Sequence, residues 1–259
     1  MTSQSSDRPA SRATAAPALR RDAWREGLAC LVLLSLLAAS VRVLAGLGPW
    51  FQVRTVVVFC AAFLLVLRGL AAHAPNQRFG PANRVTLARL GLIALLAAGV
   101  GESFGHADAI AWAAVAVAST AALLDALDGP LARAHGATSE FGERFDMETD
   151  ALMVLVLSLL VLRFGKAGPW ILAAGLMRYA FVLAAKFWPW LSRPLPPSTR
   201  RKTLCVVQIT ALIVCLCPVV PVEWSEAIAA ASLAMLSASF ALDIVWLARH
   251  RQSTRAIVS

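Results

Sequence analysis

Charged residues are scarce in this chain, and their scarcity excludes an ordinary soluble protein. Only 15% of the 259 residues are charged while 59% are hydrophobic, whereas soluble domains carry roughly 25% charged residues. The apolar residues also occur in blocks instead of being spread along the chain. This distribution predicts membrane-spanning segments rather than the core of one large soluble domain.

Zinc-ligand spacing and a continuous basic stripe are also missing. The five cysteines are odd in number, and all of them sit in apolar stretches at spacings that do not suit zinc. We interpret them as packing or lipid-facing thiols. The net charge of +9 comes from short clusters of Lys and Arg between apolar runs, without the aromatic interleaving that is typical of nucleic-acid binding. We therefore expect no nucleic-acid partner, and the clusters instead indicate membrane topology.

Eight apolar segments follow a polar amino-terminal stretch. Residues 1–26 are rich in Ser, Ala, Pro and Arg, a composition that predicts a disordered, basic tail. Most of the apolar segments reach the roughly 17–25 residues that cross a bilayer as a helix. Their ranges are 28–47, 54–72, 85–104, 108–127, 146–164, 168–190, 203–222 and 226–248. The predicted fold is therefore an all-α, polytopic membrane helix bundle with about eight transmembrane helices.

The distribution of Lys and Arg predicts which ends of these helices face the cytoplasm. An even number of spans places both termini on one side of the membrane, and that side collects most of the basic residues. The opposite side holds little beyond four of them, which are Arg42, Arg54, Arg163 and Lys166. The positive-inside rule then predicts a multi-pass protein of the cytoplasmic (inner) membrane, with both termini and the acidic stretch described next in the cytoplasm.

One stretch, residues 123–151, gathers seven of the chain's fifteen acidic residues between two apolar runs. The polar segment 134–141 inside it is too short to recross a bilayer as a helix, so it predicts a turn between two antiparallel helices. Helical spacing places one set of residues on a single face of the first helix, namely Asp125, Asp128, Gly129 and Ala132. It places a second set on one face of the following helix, namely Gly142, Asp146 and Asp150.

Four aspartates that converge at the membrane boundary would repel one another unless a cation neutralised them. Mg²⁺ and Mn²⁺ take oxygen ligands, and Mg²⁺ shares its shell with phosphates, so the set predicts two divalent cations that clamp a phosphate chain. The small residues beside the aspartates leave room for a flat group against the backbone. The competing interpretations are a solvated helix end, the cation path of a transporter and a non-catalytic scaffold. A cation path would need charges spread through several spans, whereas these cluster at one boundary.

The acidic stretch resembles a known signature. Written Asp125-x2-Asp128-Gly129-x2-Ala132-Arg133-x8-Gly142-x3-Asp146-x3-Asp150, it is similar to the signature of the CDP-alcohol phosphatidyltransferase family at every fixed position and spacing. A weaker similarity lies in GPANRVTLARL, residues 80–90, which resembles the PNxxTxxR segment before the first core helix of that family. A looser one is RRKTLCVVQ, with Lys202 and Gln208, which resembles the start of the fifth core helix.

The resemblance covers residues 80–248 and implies a catalytic core of six helices. Residues 27–79 then hold two additional amino-terminal transmembrane helices, and residues 1–26 and 249–259 form cytoplasmic tails. The reaction implied belongs to phospholipid biosynthesis: a phosphatidyl group moves from a CDP-linked lipid, typically CDP-diacylglycerol, to the hydroxyl of a small polar alcohol, and CMP leaves. The resemblance also implies two Mg²⁺ or Mn²⁺ ions and, because the family is often dimeric, a homodimer.

The same resemblance implies roles for individual residues. Carried over by position, the metal ligands would be Asp125, Asp128, Asp146 and Asp150, with Asp150 a ligand or the general base. The residues near the CDP moiety would be Thr86, Gly129, Ala132, Arg133 and Gly142.

The acceptor alcohol is the part of the reaction that the sequence leaves most open. Arg178 lies inside an apolar run, where a charge is costly and usually faces a cavity or a partner. Family members with phosphorylated acceptors use basic residues in these regions, so we expect a phosphorylated polyol such as glycerol 3-phosphate. Its binding residues would be Arg178, Arg200, Arg201 and Lys202. The alternatives are an ion pair between Arg178 and an acid such as Asp243, and an unphosphorylated acceptor such as serine, inositol or choline.

Overall fold

The chain folds into helices joined by short connections. A computed structural model describes residues 8–70, 78–102, 107–134, 139–193, 195–196 and 198–250, without the side chains of residues 8–16, 107 and 127–134. The α-helices of these ranges are α1 (Arg8–Ala45), α2 (Pro49–Gly69), α3 (Pro81–Gly99), α4 (Ala107–Ala134), α5 (Glu140–Arg163), α6 (Leu172–Phe187), α7 (Thr199–Leu216) and α8 (Val222–Arg249). Two short 3₁₀ turns, Pro169–Ile171 and Pro189–Ser192, precede and follow α6.

The predicted all-α membrane bundle is confirmed. Six helices in the described ranges are long and apolar enough to cross a membrane, and they are Pro17–Ala45, Pro49–Gly69, Pro81–Gly99, Asp108–Ala126, Pro169–Phe187 and Val222–Arg249. The predicted spans 146–164 and 203–222 correspond to α5 and α7, which are not in this set because charged residues occupy their first turns. The apolar helices indicate a multi-pass membrane protein.

Two compact units divide the chain, and the first contains α1, α2, α3, the second half of α4 and the start of α5 up to Thr149. Its helices α1, α2 and α3 pack against one another. Gly80 has φ of 85°, a value that favours glycine, and Pro81 follows it at the first position of α3, where proline fits best. The rings of Phe79, Phe141 and Phe145 lie 5.9–6.3 Å apart between centroids, so the beginning of α3 packs against the beginning of α5.

The amino-terminal tail differs from the expected disorder, because α1 begins at Arg8. The segment is rich in Ala and Arg, which are strong helix formers, and Leu19 and Ala23 share a face that is buried in the first unit. The backbone N–H of Phe79 donates to Asp22 at 2.9 Å, and a 2.7 Å ion pair joins Glu26 to Arg84. These contacts attach the first half of α1 to the beginning of α3, which the composition of residues 1–26 alone did not indicate.

The second unit contains the first part of α4, α5 from Asp150 onward, and α6, α7 and α8. Its helices α7 and α8 pack along each other. The Lys166 ammonium donates to the carbonyl oxygens of Cys217 and Val220 at 3.3 and 2.6 Å, and a cation there stabilises the carboxyl end of α7. A Cβ at Gly175 would lie 2.5 Å from the Leu155 Cα, so this glycine allows α6 to approach α5 closely.

Candidate active site

A buried polar face runs along the first turns of α3, although the rest of that helix is apolar. Asn83, Thr86 and Arg89 follow one another at intervals of three residues, which places them on one side of the helix. All three are buried, and Arg89 is only 1% exposed. The Thr86 hydroxyl donates to the Ala82 carbonyl at 3.1 Å. Arg89 therefore carries its charge into the interior of the first unit, where a charge requires an opposite charge beside it.

That opposite charge comes from two of the predicted metal ligands. The Arg89 Nη1 lies 2.6 Å from Asp125 Oδ1 on α4 and 2.6 Å from Asp146 Oδ1 on α5. One guanidinium nitrogen thus holds two carboxylates from two different helices, with distances that are typical of charge-assisted hydrogen bonds. Two carboxylates and one guanidinium leave a formal charge of −1 at this point. Asp125 of α4 and Asp146 of α5 thus meet around the Arg89 guanidinium.

Asp150 extends this acidic group by one helical turn. An oxygen of Asp146 lies within 4.8 Å of one on Asp125, and also within that distance of one on Asp150, four residues later on α5. The Cys205 thiol of α7 donates to Asp150 Oδ2 at 3.7 Å. Mg²⁺ holds oxygen ligands at about 2.1 Å, so opposite ligands stand about 4.2 Å apart. The carboxylate oxygens of Asp125 and Asp146 are hard ligands at a separation that suits a divalent cation.

Gly142 and Ser139 form the beginning of α5 beside these acids. The Gly142 N–H donates to the Ser139 hydroxyl at 3.0 Å, which is the usual contact of a serine N-cap. A Cβ at position 142 would lie 3.1 Å from the Asn83 Oδ1 and 3.2 Å from the Ser139 Oγ. The absence of a side chain at Gly142 therefore lets α5 approach the polar face of α3.

Several predicted residues lie where the structure gives only their backbone. Their positions fall on the last turns of α4, and their side chains are outside the described part of the chain. They are Asp128, Gly129, Ala132 and Arg133. Their predicted contacts with metal and with CDP stay predictions.

The predicted acceptor residues at the beginning of α7 form a second charged cluster, in the second unit. Arg200 forms a short ion pair with Asp243 of α8 and donates to the Ser239 carbonyl at 3.1 Å. Arg201 lies 3.7 Å from the same carboxylate and donates to the Pro196 carbonyl at 2.5 Å. Lys202 is exposed, and Arg178 lies half-buried on α6. Asp243, suggested as a partner for Arg178, thus forms ion pairs with both arginines at the beginning of α7.

Arg89 is the site residue that the sequence analysis did not assign to the site. It occupies the Arg position of the PNxxTxxR-like segment. The signal that could have identified it is its place inside an apolar helix, three residues after Thr86, because a charge there needs a buried partner.

Comparison with known families agrees with this arrangement. The profile of the family described as CDP-alcohol phosphatidyltransferase matches residues 79–245, which is well over half of the chain and includes every residue of the acidic group and the basic cluster. No curated protein and no solved structure gave a significant match. The chain belongs to the CDP-alcohol phosphatidyltransferase family, a family of divalent-metal-dependent enzymes that transfer a substituted phosphate group from a CDP-alcohol to an alcohol in phospholipid biosynthesis.

Proposed function

We propose that this CDP-alcohol phosphatidyltransferase moves the phosphatidyl group of CDP-diacylglycerol to the hydroxyl of a phosphorylated polyol such as glycerol 3-phosphate, and releases CMP. The observation that supports the metal-dependent part is the pair of carboxylates of Asp125 and Asp146, which meet at one point of the first unit. The observation that supports an anionic acceptor is the basic excess of Arg200, Arg201 and Lys202 at the beginning of α7.

Two divalent cations, Mg²⁺ or Mn²⁺, would be held by Asp125, Asp128, Asp146 and Asp150. Bound there, they would neutralise the pyrophosphate of the donor and stabilise the charge on the departing CMP. Arg89 already offsets one carboxylate charge, so we propose that it holds Asp125 and Asp146 in position before metal arrives. Thr86, Gly129, Ala132, Arg133 and Gly142 would line the space for the CDP moiety.

The chemical step would then be a displacement at the phosphorus that carries the diacylglycerol. The acceptor oxygen forms a bond to this phosphorus, the bond from phosphorus to the oxygen of CMP breaks, and the electron pair leaves with CMP. Asp150 would take the proton of the acceptor hydroxyl, because a carboxylate near that hydroxyl can act as a general base. Arg178, Arg200, Arg201 and Lys202 would orient the acceptor through its phosphate.

The membrane arrangement that we propose keeps this chemistry at the cytoplasmic surface of the inner membrane. Both termini would be cytoplasmic, residues 80–248 would form the catalytic core, and residues 27–79 would add two anchoring helices. The donor is a lipid and the acceptor is water-soluble, so a site at the membrane boundary gives both of them access. The protein would form a homodimer, as members of the family often do.

Release of CMP from CDP-diacylglycerol by the purified protein in detergent tests this proposal. Acceptors are added one at a time, with Mn²⁺, with Mg²⁺ or with a chelator. We expect turnover with glycerol 3-phosphate and either metal, and none in the chelator. Turnover only with serine, inositol or choline would contradict the phosphorylated acceptor. Absence of metal-dependent turnover with every acceptor would contradict the enzymatic function.

A further inference from the structure

Gln208 is a buried amide for which the described residues supply no hydrogen bond. The side chain lies on α7 and is 1% exposed, and neither its Nε2 nor its Oε1 has a partner among the residues that the structure describes. The large majority of buried side-chain polar atoms are hydrogen-bonded in native structures, and an unmade bond of this kind is costly. We therefore expect both polar atoms of Gln208 to form hydrogen bonds with a group that is not among the residues that the structure describes.

The position of Gln208 relates it to Asp150. Cys205 precedes Gln208 by three residues on α7, and residues at this spacing share a helix face. The Cys205 thiol is 3.7 Å from Asp150 Oδ2, so this face of α7 is the one turned toward Asp150. Gln208 stands on that face about 4.5 Å further along the helix axis.

The two unpartnered atoms define the chemistry of the missing group. Nε2 donates and Oε1 accepts, so the group must offer an acceptor and a donor together. A phosphate oxygen or an ester carbonyl offers only an acceptor. Alcohol hydroxyls offer both, and a polyol carries a second hydroxyl next to the reacting one.

We infer that Gln208 is a specificity residue that binds a second hydroxyl of a polyol acceptor, adjacent to the hydroxyl that loses its proton to Asp150. This inference rests on the proposed function and narrows the acceptor class to polyols. Choline, whose quaternary ammonium has no N–H, leaves the Gln208 amide without this contact, and serine has no second hydroxyl and offers only its charged ammonium and carboxylate there. The contact favours a polyol because an analogue that lacks the hydroxyl leaves a buried polar group unpaired.

A matched pair of acceptors tests the inference in the full-length protein. Glycerol 3-phosphate and 3-hydroxypropyl phosphate have the same phosphate and the same terminal hydroxyl, but the second lacks the central hydroxyl. We expect the wild-type kcat/KM to favour glycerol 3-phosphate by roughly tenfold to a hundredfold. Gln208→Leu should reduce this ratio to near unity, by losing activity toward glycerol 3-phosphate alone. The control is Thr210→Leu, a polar-to-apolar change on the exposed side of α7, which should keep the wild-type ratio.

Each outcome of this experiment is decisive. An equal loss with both acceptors in Gln208→Leu, or an unchanged ratio, would show that the amide binds water or only packs, and would overturn the inference while the proposed function stands. A wild-type enzyme that uses only amino alcohols would overturn it as well. No metal-dependent CMP release from the wild type with any acceptor would overturn the proposed function itself. The thermal stability of Gln208→Leu without substrate should equal or exceed that of the wild type, because an apolar side chain removes the unpaired amide.

Discussion

Two charged clusters of this protein have opposite compositions. In the first unit, one arginine serves two aspartates, since Arg89 contacts both Asp125 and Asp146. In the second unit, one aspartate serves two arginines, since Asp243 contacts both Arg200 and Arg201. The formal charge is −1 in the first cluster and +1 in the second. In each cluster a single residue of one charge pairs with two residues of the opposite charge, so the cluster keeps a net charge of the sign of those two residues.

The excess charge indicates what each cluster attracts. An acidic excess with oxygen donors suits a hard divalent cation, and a basic excess suits a phosphate. In each cluster the side chain of opposite sign, Arg89 or Asp243, belongs to the chain itself. It therefore remains in place when a bound metal ion or phosphate leaves. Arg89, with a side chain 2% exposed, and Asp243, with a side chain 13% exposed, are therefore the residues that we expect to hold each cluster together when no ligand is bound.

Substitution of an aspartate in the acidic cluster has the largest expected effect. Asp146→Asn preserves the shape of the side chain but removes a charge that we propose to bind metal, so we expect CMP release to fall about a thousandfold, since a metal contributes several kcal/mol to such a step. The measurement is metal-dependent CMP release from CDP-diacylglycerol in detergent. Glu143→Gln, an exposed change on the same helix, is the control and should retain activity. Full activity of Asp146→Asn would refute the metal assignment.

Loss of the Arg89 guanidinium should have an intermediate effect, and the property that changes is the stability of the fold. Arg89→Met leaves Asp125 and Asp146 facing each other, and we expect it to lower the free energy of unfolding by about 2 kcal/mol in a chelator. This is below the usual cost of breaking a buried pair because both acids are partly exposed. Mn²⁺ should restore more stability in this variant than in the wild type, since the metal would replace the missing positive charge.

Thermal unfolding with Mn²⁺ and with a chelator measures that difference. Arg84→Met is the control, because Arg84 lies on the same helix and its ion pair is with Glu26, which is not part of the acidic cluster. It should respond to metal as the wild type does. If Mn²⁺ stabilised Arg89→Met no more than the wild type, Arg89 and the metal would not share the same carboxylates.

The helices and the acidic stretch could be predicted from the sequence. The contacts between side chains of different helices could not. Periodicity and hydropathy are local properties, so they predicted the antiparallel pair that carries Asp125 and Asp146. The contact of Arg89 with both depends on the register of three helices, which local patterns do not encode. The burial of Leu19 and Ala23 was missed for a related reason, since a polar composition predicts disorder unless a neighbouring helix offers a surface to pack on.

The basic cluster gives the smallest expected effect and tests whether its two arginines differ. Arg200 is bound to Asp243 and to the Ser239 carbonyl of α8, whereas Arg201 donates to the Pro196 carbonyl and lies 3.7 Å from Asp243, so Arg201 has the weaker contact with the shared carboxylate. We therefore expect Arg201→Gln to raise the KM for a phosphorylated acceptor about tenfold, which corresponds to one charge-assisted contact of about 1.4 kcal/mol, without changing the response to Mn²⁺.

Arg200→Gln should lower the unfolding temperature and change KM less. Equal KM changes in both variants would mean that the cluster binds the acceptor as a unit, and unchanged KM in both would mean that its positive charge only holds α7 to α8.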